Sequence, residues 1–376
     1  MSGNNTTEAE QGTFTAVILP TFYLLLSIYV IIVNLVELLI ITRIKTSSST
    51  VFIASLAMTD LTMGIFAILP SSVSFLLKSN SSSLFFLGDI LCDITGVISN
   101  TSLFASLLSV VCITLNRYIA LAVPLHYNKI STNQAAYMMT AIVWFISLLR
   151  SLVPYFKLQR YQFNPNVGMC TYYTNIFGDR EIYYYPLLQV IPYSVCFVFL
   201  IFCPLHMTAL LAKRQKQSAN MRSSLRKSDD NGGARGAFSK LRNGSLRKPN
   251  LHRSKSKAKQ NEQEATTTTL LVVLGFVVCY SVNYFFICYY FAYLVLDKWP
   301  FGIPDTVYNV LETLWMMGIN LNSIFNPIIY LFRNTAFKTE LMKMKHAILL
   351  FCKCSTDPGM HTVIKGTSSG SASYKS

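Results

Sequence analysis

Charge is scarce in this chain. Of its 376 residues only 13% are Asp, Glu, Lys or Arg and 52% are hydrophobic, whereas soluble domains carry roughly 25% charged residues. That deficit, with a mean hydropathy of +0.40, excludes an ordinary soluble enzyme. Acid is scarcer still, with 17 Asp and Glu against 32 Lys and Arg. The five histidines (His126, His206, His252, His346 and His361) form no metal-ligand spacing. There is no phosphate-binding glycine loop and no nucleophile motif, so the chain does not read as an enzyme. Alternating segments of about ten residues are missing, which argues against a membrane β-barrel. A transporter or channel would need a midplane polar pathway or broken helices in repeated halves, and the sequence shows neither. Aromatics, by contrast, are plentiful: 25 Phe, 21 Tyr and 3 Trp exclude disorder as a whole-chain state.

What the chain does have is long apolar runs, at about Val17 to Thr42, Val51 to Leu77, Ile90 to Leu121, Ala135 to Phe156, Ile182 to Leu211, Ala265 to Leu296 and Val307 to Phe332. Each exceeds the roughly 20 residues needed to cross about 30 Å of hydrocarbon, and lipid offers backbone groups no partners, so each must be a helix. The predicted fold is an all-α membrane protein, a seven-transmembrane helix bundle spanning residues 17–332. Residues 1–16 form a polar tail with no cleavable signal peptide expected.

Fifteen of the 32 Lys and Arg lie between Lys213 and Lys259, opposed only by Asp229 and Asp230, so this segment holds nearly all of the net charge of +15. With Arg43, Lys45 and the basic residues after Arg333, it predicts by the positive-inside rule an extracellular N-terminus and a cytoplasmic C-terminus. Residues 212–263, rich in charge, serine and Gly-Gly, are expected to be a disordered third intracellular loop. No nucleic-acid role is assigned to it, because a basic loop beside a membrane already meets anionic lipid and acidic partners. Sequons at Asn4, Asn5 and Asn80 fall on the predicted outer side and are candidate glycosylation sites. Residues 333–347 read as a short amphipathic eighth helix, with Phe332, Phe337, Leu341 and Met344 apolar and Lys338, Lys343 and Lys345 available to lipid. In the tail, 348–376, Cys352 and Cys354 are palmitoylation candidates or free thiols.

Polar residues inside the spans choose among heptahelical classes. Asn34 lies in the first, Leu56-Ala57-Met58-Thr59-Asp60 in the second, Cys92 and Asn116-Arg117-Tyr118 in the third, and Trp144 in the fourth. Pro192 lies in the fifth, Phe276 with Cys279-Tyr280 in the sixth, and Asn326-Pro327-Ile328-Ile329-Tyr330 in the seventh. In this order and spacing the chain resembles the rhodopsin-like (class A) G-protein-coupled receptors, from about Val17 to Lys345 apart from the basic loop.

The resemblance implies a plasma-membrane receptor that binds an extracellular ligand and activates heterotrimeric G proteins as the sixth helix moves outward, with arrestin and receptor kinases as further partners. It implies a Cys92–Cys170 disulfide on the oxidising side. It gathers Asn34, Ser106, Asn322, Ser323 and Asn326 around Asp60. That set suits a small cation such as Na⁺, or else a protonated Asp60 in a closed hydrogen-bond network. Activation-switch positions are Asn116, Arg117, Tyr118, Phe276, Tyr280, Pro327 and Tyr330. Glu262 either pairs with Arg117 or caps the sixth helix as a solvated acid.

The ligand pocket is expected among Ser99, Asn100, Leu103, Tyr184, Tyr280, Asn283, Tyr284, Glu312, Met316 and Asn320. Ser99 stands where amine receptors carry Asp, and Asn320 where opsins carry the retinal Lys, so neither ligand type is expected. Glu312 would pair with a cationic ligand or, internally, with Arg150 or Lys298. The chain departs from the family in having Asn116 in place of an acid, Tyr280-Ser281-Val282 where Trp-x-Pro is usual, Leu200 in place of a Tyr, and Val33 in place of a Gly. These departures keep open a second reading, a receptor-like protein with weak or constitutive signalling that acts mainly as a partner or scaffold. Glu37, in the first span, lies off the family pattern, and protonation is the one account of it.

Overall fold

The computed structural model describes residues 19–77, 89–157, 160–164, 169–172, 184–230, 249–296 and 305–356. The first span is Leu19–Arg43. The second is helical from Ser48–Met63, passes through a π turn at Gly64–Ile68 and continues as Leu69–Leu77. The third is Asp89–Ala122, the fourth Asn133–Leu152, the fifth Tyr184–Asp230, the sixth Pro249–Leu296 and the seventh Asp305–Arg333. A last helix covers Thr335–Thr356. Among the described residues, six helices are long and apolar enough to cross a membrane, and the seventh span packs against the first, second and sixth to complete the bundle.

The bundle is apolar outside, and its interior combines an apolar core with buried polar side chains. Val195, Phe202 and Leu274 stand 64%, 66% and 59% exposed, while Ser27, Asn34, Thr59, Asn320 and Asn322 are buried. The third span runs through the middle, touching the second, fourth, fifth and sixth. Close approach of the sixth and seventh depends on Gly318, where a Cβ would sit 2.8 Å from the Cys279 carbonyl oxygen. Side-chain hydrogen bonds fix the helix starts: Ser47 Oγ accepts from the Thr50 N–H at 3.3 Å and Thr50 Oγ1 accepts from the Ser47 N–H at 2.8 Å, a reciprocal cap.

One end of the bundle carries an antiparallel hairpin, β1 (Tyr161–Asn164) and β2 (Met169–Tyr172). Cys170 in β2 is bonded to Cys92 at the start of the third span, as expected. Tyr161 fixes the hairpin onto that span: its N–H donates to Asp93 Oδ1 at 3.0 Å and its hydroxyl to the Ser151 carbonyl at 2.9 Å. The ring lies directly over Gly96, where a Cβ would come within 2.4 Å of it.

Two segments differ from the sequence reading. Residues 212–263 are not a loop throughout: the fifth helix continues to Asp230 and the sixth begins at Pro249. Lys, Arg, Gln, Ala and Met are good helix formers whatever their charge, and no Gly or Pro interrupts them before Gly232. Pro249 takes the first helical position, where its missing N–H costs no bond. The last helix likewise extends beyond 347 to Thr356. Asn334 Oδ1 starts it by accepting from the Ala336 N–H at 3.0 Å, and no Pro follows until Pro358. Phe332 is 69% exposed at the end of the seventh span and so does not join the apolar side of that helix.

Candidate ligand and coupling sites

Asp60 is buried where the second span faces the seventh. Its Oδ1 accepts from Ser323 Oγ at 3.0 Å and its Oδ2 from Asn326 Nδ2 at 2.9 Å. Asn34 joins the cluster through the backbone, its Nδ2 donating to the carbonyls of Val30 at 2.9 Å and Ser323 at 3.1 Å. Ser106 and Asn322 are also buried, and both amide atoms of Asn322 and Oδ1 of Asn326 lack partners. Buried polar atoms without partners are costly. A carboxylate beside orphaned amide oxygens is therefore a donor set that fits a small hard cation or ordered water. Among the described residues no cluster of His, Cys, Asp and Glu could hold a transition metal.

At the end opposite the hairpin, a cavity of about 240 Å³ opens between the second, third, sixth and seventh spans and the last helix, lined by Arg117, Asn116, Ile113, Glu264, Thr268, Tyr330 and Thr335 among others. Glu262 does not reach Arg117. Its Oε1 lies 2.9 Å from Arg214 Nη1 on the extended fifth helix, and Arg214 Nη2 also donates to the Leu121 carbonyl at the end of the third span. The sequence pairing failed because the loop reading left Arg214 off any helix. Glu264, two residues on, accepts from the Thr335 N–H at 3.2 Å and so ties the sixth span to the last helix. Asn116 is held away from Arg117 by serines: its Nδ2 donates to Ser49 Oγ at 2.9 Å, and its Oδ1 accepts from Ser131 and, at 3.5 Å, from Ser48. Tyr118 meets His206 Nδ1 at 3.1 Å. Tyr330 is buried against Phe337 with its hydroxyl unpartnered, and Pro327 lies inside the helix one turn earlier.

Toward the hairpin end, Tyr280 is buried and stacked on Phe276 with ring centres 4.0 Å apart. Tyr284 stacks on Phe197 at 4.7 Å and shares a 2.7 Å hydrogen bond with Ser194, a partner with no signal in the residue pattern. Asn283 and Asn320 are buried, the latter with both amide atoms unpaired. Ser99 donates to the Thr95 carbonyl at 2.6 Å. Asn100 and Leu103 are half-buried on the same span. The side chains of Tyr184, Glu312, Met316, Cys352 and Cys354 lie outside the described residues, as do Asn4, Asn5 and Asn80. Trp144 donates to Ser55 Oγ at 3.1 Å, and Ser55 lies 3.0 Å from Ser109 Oγ, linking the second, third and fourth spans.

Residues 14–330 match the model of the 7 transmembrane receptor (rhodopsin family). The chain belongs to that family. This receptor is 27% identical to 5-hydroxytryptamine receptor 1D of Canis lupus familiaris over 324 residues, 81% of its own length and 82% of the relative's. It is 28% identical to human proteinase-activated receptor 3 over 193 residues, and that match spans only half of each chain. The fold is similar to that of squid rhodopsin, with a TM-score of 0.65 at 20% identity, covering 89% of the receptor and 88% of that chain. The receptor is thus a multi-pass membrane protein of the G-protein-coupled class, with similarity to relatives named for quite different stimuli.

Proposed function

We propose that the receptor binds an extracellular ligand at the hairpin end and activates heterotrimeric G proteins at the Arg117 end. The observation that carries this reading is the cavity beside Arg117, closed on one side by the base of the sixth span. In the resting state, Arg214 holds Glu262 of the sixth span and the Leu121 carbonyl of the third, and Glu264 holds the last helix. Outward movement of the sixth span breaks both links and opens the cavity to a partner helix. A ligand that prefers this open arrangement shifts the population toward it. In this reading the hairpin and the N-terminal tail are extracellular, and the basic ends of the fifth and sixth helices are cytoplasmic.

The Asp60 cluster stabilises the closed state by holding Na⁺ with the Asp60 carboxylate and the Asn322 and Asn326 amide oxygens. The name of the 5-hydroxytryptamine relative is not carried over, because Ser99 offers an amine no carboxylate and its hydroxyl is already committed to Thr95. Cys352 and Cys354, on the last helix, are the acyl anchors of that helix to the membrane. Arrestin and receptor kinases are the remaining cytoplasmic partners.

Spin labels at the cytoplasmic ends of the third and sixth spans provide the test. Pulsed electron resonance on the receptor, alone and with a nucleotide-free G protein, is expected to show the distance lengthen when the G protein binds. Complex formation at an unchanged distance would overturn the mechanism.

A further inference from the structure

Arg150 occupies the last turn of the fourth span, where a cation is ordinarily directed to water and to the helix's own C-terminus. Instead it is turned inward and only 9% exposed. Its guanidinium carbon lies over the Phe104 ring of the third span, 4.6 Å from the centre, and 5.6 Å from the centre of Tyr193 on the fifth. Those rings are 5.7 Å apart and form an aromatic wall. Ring faces offset part of the cost of burying a cation, but they use only the flat face of the guanidinium. Its N–H donors point outward in the plane, and Nε and Nη1 are buried with no hydrogen-bond partner.

Among the described side chains, the nearby carboxylates Asp93 and Asp60 are already engaged. Asp93 accepts from the Tyr161 N–H and lies 4.0 Å from Arg160, and Asp60 is held by Ser323 and Asn326. A buried ionised group inside a membrane bundle marks a functional position. The N–H donors of an arginine match the oxygens of a carboxylate or phosphate. Ser147 and Ser151, its buried polar neighbours on the same helix, are committed to backbone carbonyls, while Ile146 and Leu149, one turn or less away, are exposed on the bundle's outer face.

We propose that Arg150 recognises the acidic head of an amphiphilic ligand, a carboxylate or phosphate monoester on a long apolar chain. The chain then lies along the outer face of the fourth span, over the exposed Ile146 and Leu149. This names the ligand class for the receptor reading above and rests on it for signalling, while the binding itself is tested without any G protein.

Full-length receptor is reconstituted in phosphatidylcholine nanodiscs, and its Tm is followed with oleate, lysophosphatidate, oleyl alcohol and inorganic phosphate. Oleate, lysophosphatidate or both are expected to raise the Tm, with oleyl alcohol and inorganic phosphate leaving it unmoved. Which of the two acids acts decides between carboxylate and phosphate. Arg150→Gln is expected to weaken the half-saturating concentration at least tenfold, and Arg150→Lys to recover part of it. The comparison of acid with alcohol on the unmodified protein holds even if Arg150→Gln fails to fold. Equal shifts with oleate and oleyl alcohol, no shift with either acid, or an unaltered response in folded Arg150→Gln would overturn the proposal. Each of those results leaves G-protein activation to be judged separately.

Discussion

Arg214 Nη1 lies 2.9 Å from Glu262 Oε1, so the fifth span, and not Arg117 of the third, holds the acid at the base of the sixth. Because Arg214 also reaches the Leu121 carbonyl, this one side chain links three spans at the mouth of the Arg117 cavity. Among the described residues Glu262 is thus paired with Arg214 and not with Arg117.

If this clamp restrains the resting state, Glu262→Ala and Arg214→Ala should each raise ligand-free nucleotide exchange, and the double variant should go no further. Both side chains are more than a third exposed, and exposed pairs contribute roughly 0.2–1 kcal/mol. The expected rise is therefore modest, about 1.4- to fivefold. Exchange rates unchanged in both single variants would remove the clamp from the account.

Asn116 is expected to be structural. Replacing it by Leu removes its bonds to Ser48, Ser49 and Ser131, while Ser131 keeps its 2.7 Å bond to Ser48 and Ser48 keeps Tyr127. A lost hydrogen bond between groups that keep other partners costs roughly 0.5–1.5 kcal/mol, so the Tm of the purified receptor should fall. An unchanged Tm would show that those bonds contribute nothing net.

Asp60→Asn should remove any stabilisation by sodium. The unmodified receptor is expected to have a higher Tm in NaCl than in choline chloride at equal ionic strength, and the variant the same Tm in both. Equal values for the unmodified receptor would leave Asp60 as a hydrogen-bond acceptor for Ser323 and Asn326 without a cation.

Gly318→Ala places a methyl group against the Cys279 carbonyl. Overpacking of this kind costs about 1–3 kcal/mol, because backbone cannot rotate away as a side chain can. Surface expression and Tm should both drop, and a variant with unmodified values of both would show that the two helices do not pack this closely.

The transmembrane fold was legible because lipid imposes one rule on each span and the chain obeys it seven times. The Cys92–Cys170 bond and the grouping of Asp60, Ser323 and Asn326 were legible through family landmarks, and the structure brings those residues together. What stayed hidden depended on reading a helix through a charged segment. Composition suggests solvation for 212–230, but helix propensity there is high, and Arg214 acquires its partners only once the fifth helix is extended. The hairpin at Tyr161–Asn164 and Met169–Tyr172 is too short for period-two patterning to stand out. Arg150 was visible as a charge in a span, but its partner rings lie 46 and 43 residues away in sequence, and only the packing of the third, fourth and fifth spans joins them.

The central claim, that the Arg117 cavity couples to G proteins, is tested most directly by nucleotide exchange in nanodiscs. Receptor carrying Arg214→Ala is mixed with a panel of purified heterotrimeric G proteins, and GTPγS uptake is compared with that in empty nanodiscs and with the same variant bearing Arg117→Ala. Faster uptake by at least one G protein, lost when Arg117 is replaced, is the expected result. Uptake equal to that of empty nanodiscs across the whole panel would contradict the claim.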